Sequence, residues 1–524
     1  MSLLRSTGII GGLTMVSRLA GFAREMIFAR ILGAGAVTDA FLMAFLLPNT
    51  FRRLFAEGAF SAAFVPMFSK RLHSDGGLDS ARDFSNDVLS VFVPILVVIV
   101  ALFELAMPAV IWMLASDWQA IPGKFEFGVT LARITFPYIL LISLVTVFVG
   151  MLNSVSRFAP GASFPILLNL VMIVALLAGA LLQREGATPG DIAILLAWSV
   201  AAAGLLQLAW VYYWVRRSGF RPRIGRPRLT PEVKRLGWIA LPAALGTGAY
   251  QVNQLLQVYF LNQLPSGALS YVNYADRLNQ LPLGIIGIAL GTAILPALSR
   301  HIGGNERAAA DRVQSDAIEI AMLLTLPATI ALALCALPFV TIVFLGGRFT
   351  PGDALVTANV LSALVAGLPA YVLIKVLTPA FYARADTRTP VYAALVALGF
   401  FFAFNLLFLY RFGVVGVAAA SAIGAWLNCL ILYFILVRRD HYRADGRLLS
   451  RIARLLVAAA AMAAALWFVR GGMSDYYAGN LFERVLALVV LVGVGSATYF
   501  GVAFLIGAID RDRIRVLTRK GRKN

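Results

Sequence analysis

Apolar runs long enough to cross a bilayer as helices recur along the whole chain, and nothing else in the sequence constrains the fold so strongly. A helical crossing needs about twenty mostly apolar residues. Runs of that kind fall at 6–32, 36–57, 86–115, 128–153, 160–183, 190–215, 236–263, 268–298, 315–346, 354–381, 389–410, 413–437, 452–469 and 485–508. They are continuous rather than alternating, which excludes a closed β-barrel. Hydrophobic residues make up 60% of the 524 and charged residues 14%. A soluble domain carries about a quarter charged. The expected fold class is an all-α polytopic membrane protein with about 14 transmembrane helices.

The net charge of +19 invites a nucleic-acid reading, and its distribution answers it. Fourteen spans put both termini on one side. The termini and even-numbered connections hold 31 of the 45 basic residues, and the odd-numbered connections hold six. That is a positive-inside bias, so both termini are expected in the cytoplasm. The tail RDRIRVLTRKGRKN then reads as a juxtamembrane, lipid-facing segment, with no nucleic-acid partner. Cys335 and Cys429 lie in separate apolar runs and read as buried small hydrophobes. His73, His301 and His441 are scattered without metal-ligand spacing, so no metal or cofactor is expected. Arg18 and Arg24 break the first apolar run, which does not read as a cleavable signal. No Walker A loop is visible, so ATP is not expected to drive a cycle directly.

Two parts of the chain echo each other. AFVPMFSK, from Ala63 to Lys70, matches AILPALSR, from Ala293 to Arg300, at an offset of 230. Pro160 and Pro390 open spans at the same offset, and Pro48 and Pro282 close segments at an offset of 234. Each copy holds six spans, an even number, so the copies share one orientation about an axis along the membrane normal. The organisation read from this is an N-terminal lobe at 1–217, a basic cytoplasmic linker at 218–235 and a C-terminal lobe at 236–440. Two extra helices follow within 441–508, then a basic cytoplasmic tail at 509–524. Parallel six-helix repeats point to transport by alternating access.

Eight basic residues remain in or at the ends of spans. An arginine at the bilayer centre costs roughly 2.5–3.5 kcal/mol on insertion scales. Arg18 lies about twelve residues into its span and Arg24 about 9 Å further along. Arg277 is near the middle of span eight, beside Asp276. Glu25, seven residues from Arg18, shares nearly its helical face and is a candidate structural partner, as are Asp39 and Asp276. Arg18 and Arg24 point about 120° apart on an ideal helix. A shared cavity would need a bend near Gly21 or side chains that reach round. Arg30, Arg52 and Arg53 stand near span ends, within snorkelling range, and Arg133 reads as interfacial. Lys375, in the cytoplasmic half of span ten, reads as a cavity residue. A cavity rich in guanidinium groups selects anions, and phosphate or pyrophosphate fits their bidentate geometry.

The stretch TMVSRLAGFAREMIFARILGAGAVTDAFLMAFLLPNTFRRLFAEGAFSAAFVP closely resembles the MurJ/MviN family of lipid II flippases, in the MOP exporter superfamily. YADRLNQLPLGIIGIALGTAILPALSR and KVLTPAFYARADTRTP resemble its later signatures. The resemblance implies two six-helix lobes and outward movement of lipid II, the undecaprenyl-pyrophosphate-linked peptidoglycan precursor, across the bacterial inner membrane. The family's cavity arginines carry over onto Arg18, Arg24 and Arg277, with Arg52 a further essential basic position. Its acidic position in span two carries over onto Asp39, and Glu57 lies in the matching FAEGAFS segment. The last two helices are implied to form a groove for the polyprenyl tail. Membrane lipids and the cell-wall synthesis machinery are the further partners implied. Some members bind sodium through acidic and asparagine side chains in the C-terminal lobe. No matching carboxylate set is found in spans seven, eleven and twelve, so membrane potential or protons are expected to drive the cycle.

Other classes explain less. A multidrug exporter of the same superfamily would carry the opposite cavity charge, and a flippase for another polyprenyl-linked oligosaccharide would lack the N-terminal signature. An intramembrane enzyme would need an acid/base or metal constellation that the sequence does not display. A scaffold of the cell-wall machinery leaves the mid-span arginines without a purpose.

Overall fold

The structure is a computed structural model that describes residues 3–52, 59–73, 77–473, 476–477 and 479–509. Its helices are α1 (Leu3–Leu32), α2 (Ala36–Arg52), α3 (Ala59–Leu72), α4 (Gly77–Ala115), α5 (Lys124–Thr135), α6 (Tyr138–Ser154), α7 (Ala159–Arg184) and α8 (Pro189–Arg217). These are followed by α9 (Pro231–Asn262), α10 (Ala268–Gly303), α11 (Arg307–Leu334), α12 (Ala336–Phe344), α13 (Pro351–Val365) and α14 (Leu368–Tyr382). The last three are α15 (Arg388–Arg438), α16 (Gly446–Gly472) and α17 (Leu481–Leu505). Among the described residues, nine helical segments are long and apolar enough to cross a membrane. One of these, α15, is two helices joined at Gly413, whose backbone leaves helical geometry.

Local sequence sets the helix ends. TPGD occurs twice, and Thr188 and Thr350 each accept from the N–H of the aspartate three residues on, while Asp191 and Asp353 accept in return. These are reciprocal caps with proline at the first helical position. Ser156 and Ala385 close α6 and α14 in left-handed conformations, at φ 57° and 58°. The amide after each bonds back five residues, Arg157 to Leu152 at 2.9 Å and Asp386 to Phe381 at 3.0 Å.

The offset of 230 seen in a few prolines extends to whole helices. Adding it to α1 gives 233–262, and α9 is Pro231–Asn262. Adding it to α4 gives 307–345, the stretch filled by α11 and α12. The break between α5 and α6 recurs between α13 and α14, and the start of α7 recurs at the start of α15.

The structure departs from the sequence expectation in three places. Residues 59–72, read as connection, form α3, a helix too short for a crossing. Spans four, nine and ten are each two helices, broken at Phe136–Pro137, at Cys335 and at Ala366–Gly367. The fourth apolar run begins its helix at Lys124, not near 128, so Arg133 lies nine residues into it.

Two compact units form, Met1–Ser270 with Gly346–Phe349, and Tyr271–Leu345 with Thr350–Asn524. In the first, α7 packs on α1 and α8, α6 on α8, α2 on α5, and α9 on α3 and α4. Stacked phenylalanines fix α3 against α4, with Phe60 and Phe92 4.7 Å apart and Phe64 and Phe84 5.8 Å apart. In the second unit, α11 packs on α14 and α16, α12 on α13, and α16 on α17. Leu455, Ala458, Met462 and Tyr499 share one apolar core with Ala321 and Val376. The two C-terminal helices are thus part of the second unit's core.

Candidate functional site

Arg24 is buried on α1, where its Nη2 donates to Glu25 Oε1 at 2.5 Å. Its Nη1 donates to Met172 Sδ of α7 at 3.5 Å, and its guanidinium lies 5.9 Å from the Phe45 ring of α2. The carboxylate was expected to serve Arg18, and the structure bonds it to Arg24. A charge this deep needs a partner and satisfied donors, and Glu25 supplies the first. Arg18 is exposed on the same helix. Between them α1 continues through Gly21, whose open side faces Asn169. Asn169 in turn donates to the Ser17 carbonyl at 3.2 Å.

Asp39, in the first turn of α2, is also buried and fully engaged. Its Oδ2 accepts from the Gly267 N–H at 2.7 Å, and its Oδ1 accepts from the N–H and hydroxyl of Ser270 at 3.0 and 2.6 Å. Those donors surround the N-terminus of α10, where backbone N–H groups and the helix dipole favour a carboxylate. Lys124, the first residue of α5, stands 3.7 Å from Asp39 Oδ2 and donates to Ser266 Oγ at 3.1 Å. Its ammonium lies 4.5 Å from the centre of the Trp118 ring. Asp39 therefore clamps the turn between α9 and α10, with Lys124 as its countercharge.

A second clamp closes on the end of α1. The Arg348 N–H donates to the Arg30 carbonyl at 2.8 Å. With its side-chain amide turned over, Gln183 Oε1 accepts from Arg348 Nε at 2.8 Å and Nη2 at 3.1 Å. Gly347 takes φ 57°, and a Cβ there would stand 2.1 Å from the Arg30 carbonyl oxygen. Only glycine allows that approach.

The remaining candidates divide between the units. Arg52 ends α2 and is half-buried. Glu57 lies outside the described residues. In the second unit, Arg277 and Asp276 are half-buried on α10, and the Gln280 amide donates to Asp276 one turn on. Lys375 of α14 is exposed and lies over α10, its Cδ 3.0 Å and Nζ 3.1 Å from where a Cβ on Gly287 would be. The glycine leaves room for the ammonium. The structure thus pairs Arg24 with Glu25 and Asp39 with Lys124, and lays Lys375 across α10. Lys124 was missed because it reads as one more basic residue in a connection. The signal that could have found it is its nearness to Trp118 at the mouth of an apolar run.

Long apolar helices, a parallel internal repeat and mid-span guanidinium groups define a multi-pass helical membrane transporter. The chain belongs to the lipid II flippase MurJ family, whose profile matches residues 28–487. It is 42% identical over 524 residues to a probable lipid II flippase MurJ of Rhizobium meliloti (strain 1021), covering 99% of this chain and 97% of that one. It is 32% identical to the lipid II flippase MurJ of Burkholderia cenocepacia, covering 97% and 98% of the two chains. A solved lipid II flippase MurJ in an inward closed conformation superposes with a TM-score of 0.74, at 21% identity and over 94% of this chain and 98% of that one. A multidrug resistance MATE family transporter of the MOP superfamily gives 0.63, at 14% identity over 82% and 97%. These two likenesses establish the fold.

Proposed function

We propose that this chain is a lipid II flippase, carrying the undecaprenyl-pyrophosphate-linked precursor from the cytoplasmic to the periplasmic leaflet of the bacterial inner membrane. Family membership across nearly the whole chain carries this reading. The residues fit the chemistry. With Arg24 paired to Glu25 and Asp39 countered by Lys124, Arg18, Arg52, Arg277 and Lys375 still outnumber Glu57 and Asp276. Pyrophosphate oxygens are the natural acceptors for guanidinium forks. The apolar surfaces of α16 and α17 suit the polyprenyl tail.

Both termini are cytoplasmic in this reading, supported by the 31-to-6 distribution of basic residues. The drive is the membrane potential or protons. One charge moved across 100 mV is worth about 2.3 kcal/mol, enough to bias a cationic cavity between two states. Membrane lipids and cell-wall synthesis enzymes are its neighbours. Transfer of labelled lipid II across reconstituted vesicles tests the reading. Wild-type protein is expected to move lipid II and Arg24→Ala to move it at least tenfold more slowly. Wild type that moves none would overturn the function, and an undiminished variant would overturn the role of Arg24.

A further inference from the structure

Proline lacks an N–H, so within a helix the carbonyl four residues earlier loses its donor. Of the two prolines inside α4, Pro94 and Pro108, the second deprives the carbonyl of Glu104. Arg133 of α5 supplies the missing donor, its Nε reaching the Glu104 carbonyl oxygen at 3.3 Å. In the second copy of the repeat the same kind of break is mended by a guanidinium from α16, outside the repeat. Pro338 stands 230 residues after Pro108, and the carbonyl four before it, that of Leu334, accepts from Arg470 Nη1 at 2.8 Å. In both copies a guanidinium thus mends the proline break. They differ in the side chain beneath the carbonyl, which is leucine in one and glutamate in the other. The mend needs no carboxylate, so that of Glu104 serves something else.

Its position suggests what. Glu104 is eleven residues from the end of α4 and Arg133 nine from the start of α5, about 16 and 14 Å along their helices. A hydrocarbon core about 30 Å thick that began at those helix ends would have its middle beside both residues. Phe103 and Phe136 stack at 5.0 Å beside them and hold the two helices in register. Glu104 Oε1 is buried without a hydrogen-bond partner among the described residues, and Arg133 is the charged group that acts on it. An ionisable residue inside a spanning helix is costly to bury and points to a functional use.

We propose that Glu104 is a proton-binding site of the transport cycle, with Arg133 shared between two acceptors on that one residue. With the proton on the carboxyl, the guanidinium bonds the backbone carbonyl, as seen here. When the proton leaves to water, the carboxylate draws the guanidinium to itself. The carbonyl then loses its donor and α4 is freed to bend at Pro108. Proton binding is thereby converted into helix shape. This deepens the proton-driven form of the flippase reading and rests on it for its place in the cycle.

Two measurements on the full chain in vesicles test it. Spin labels at Val97→Cys and Met113→Cys, both exposed on α4, bracket the bend when Cys335 and Cys429 are replaced by alanine. They are about 24 Å apart along the helix. Their separation is expected to shift between pH 5 and pH 9, and to stay fixed when Glu104→Gln or Glu104→Leu is added. A parent that does not shift, or a Glu104→Gln protein that still does, overturns the proposal. Lipid II transfer is expected to vary with pH by at most about tenfold per unit, the limit for one proton, and to be flat in Glu104→Gln. A Glu104→Gln profile identical to wild type would overturn the proton site while leaving the flippase reading intact. A pH-dependent spin-label shift in a protein that moves no lipid II would do the reverse.

Discussion

Asp39 and Lys124 face each other at 3.7 Å with their side chains only 4% and 3% exposed, one from α2 and the other from α5. Breaking such a buried pair from one side costs about 3–5 kcal/mol, because a charge is left without its partner. Asp39 keeps its bonds from Gly267 and Ser270, which places the expected loss for Lys124→Met at the lower end. Lys124→Arg should retain most of the stability. The double variant Asp39→Asn, Lys124→Met should recover part of what the single variant loses. Thermal unfolding of the four proteins in detergent checks the order. A single variant as stable as wild type would show that the pair does not hold the α9–α10 turn.

Arg24 raises a sharper question, since its bond to Glu25 gives it a structural duty besides any duty to cargo. Arg24→Gln with Glu25→Gln removes both charges and leaves neutral amides of similar size. Replacing a buried pair together is often close to neutral for stability. The double variant is expected to fold with a midpoint near wild type, yet to transfer lipid II at least tenfold more slowly. Tenfold corresponds to about 1.4 kcal/mol, close to the lower end of about 1.5–3 kcal/mol for a hydrogen bond to a charged group. Restored transfer would mean that Arg24 serves only to neutralise Glu25.

The repeat was legible because its copies kept prolines and helix lengths, and these survive in α1 and α9, α4 and α11–α12, and α5–α6 and α13–α14. The arginines of α1 and α10 were legible because a charge in an apolar run stands out against its surroundings. The break at Gly413 falls where the run 389–410 gives way to 413–437, but those at Cys335 and Ala366–Gly367 were not legible, since hydropathy averages over a window and does not see one residue's φ and ψ. Lys124, Arg348, Arg470 and Arg484 were counted only as a minority on the odd-numbered side. Each proves to be bonded, to Ser266, Gln183, the Leu334 carbonyl and the Gly479 carbonyl respectively. Such partners lie tens or hundreds of residues away in most of these cases, and no local pattern announces them. Glu104 escaped for the same reason, its partner lying 29 residues on in another helix.

The clamp at the end of α1 should respond to a single methyl group. Gly347→Ala sets a Cβ 2.1 Å from the Arg30 carbonyl oxygen and demands a positive φ from alanine. Strain of this kind costs about 1–3 kcal/mol, and the Arg348 N–H bond is lost with it. Gly33→Ala, with 2.7 Å to the Arg348 carbonyl oxygen, should act in the same direction. Gly35→Ala, with open space around it, is the control. Limited proteolysis at residues 346–349 should accelerate in the first two variants and stay unchanged in the third. Equal cleavage in all three would remove the glycines from any role in docking the segment.

The polar connections at 383–387 and 439–445, outside the spans, predict how stability depends on pH. The His441 ring is half-buried, and burial, followed by the nearby Arg384 and Arg439, pushes its pKa below the ordinary 6.5. The folded protein therefore holds the neutral ring, and unfolding takes up a proton. That contribution is complete above about pH 6.5 and is lost as the pH falls below it. Asp386 is held at about 2, first by the Thr389 hydroxyl and N–H and then by Arg439. Asp440 is held at about 2 by Arg307 and Arg443. Their contributions are complete above the ordinary carboxylate value and vanish as the pH falls toward 2. The unfolding midpoint in detergent should thus be level near pH 8, decline below about 6.5, and decline again below about 4. His441→Gln should erase the first decline with little change at pH 8, whereas Asp386→Asn should lower the midpoint at pH 8 and shorten the second. A first decline that persists in His441→Gln would assign it to another group.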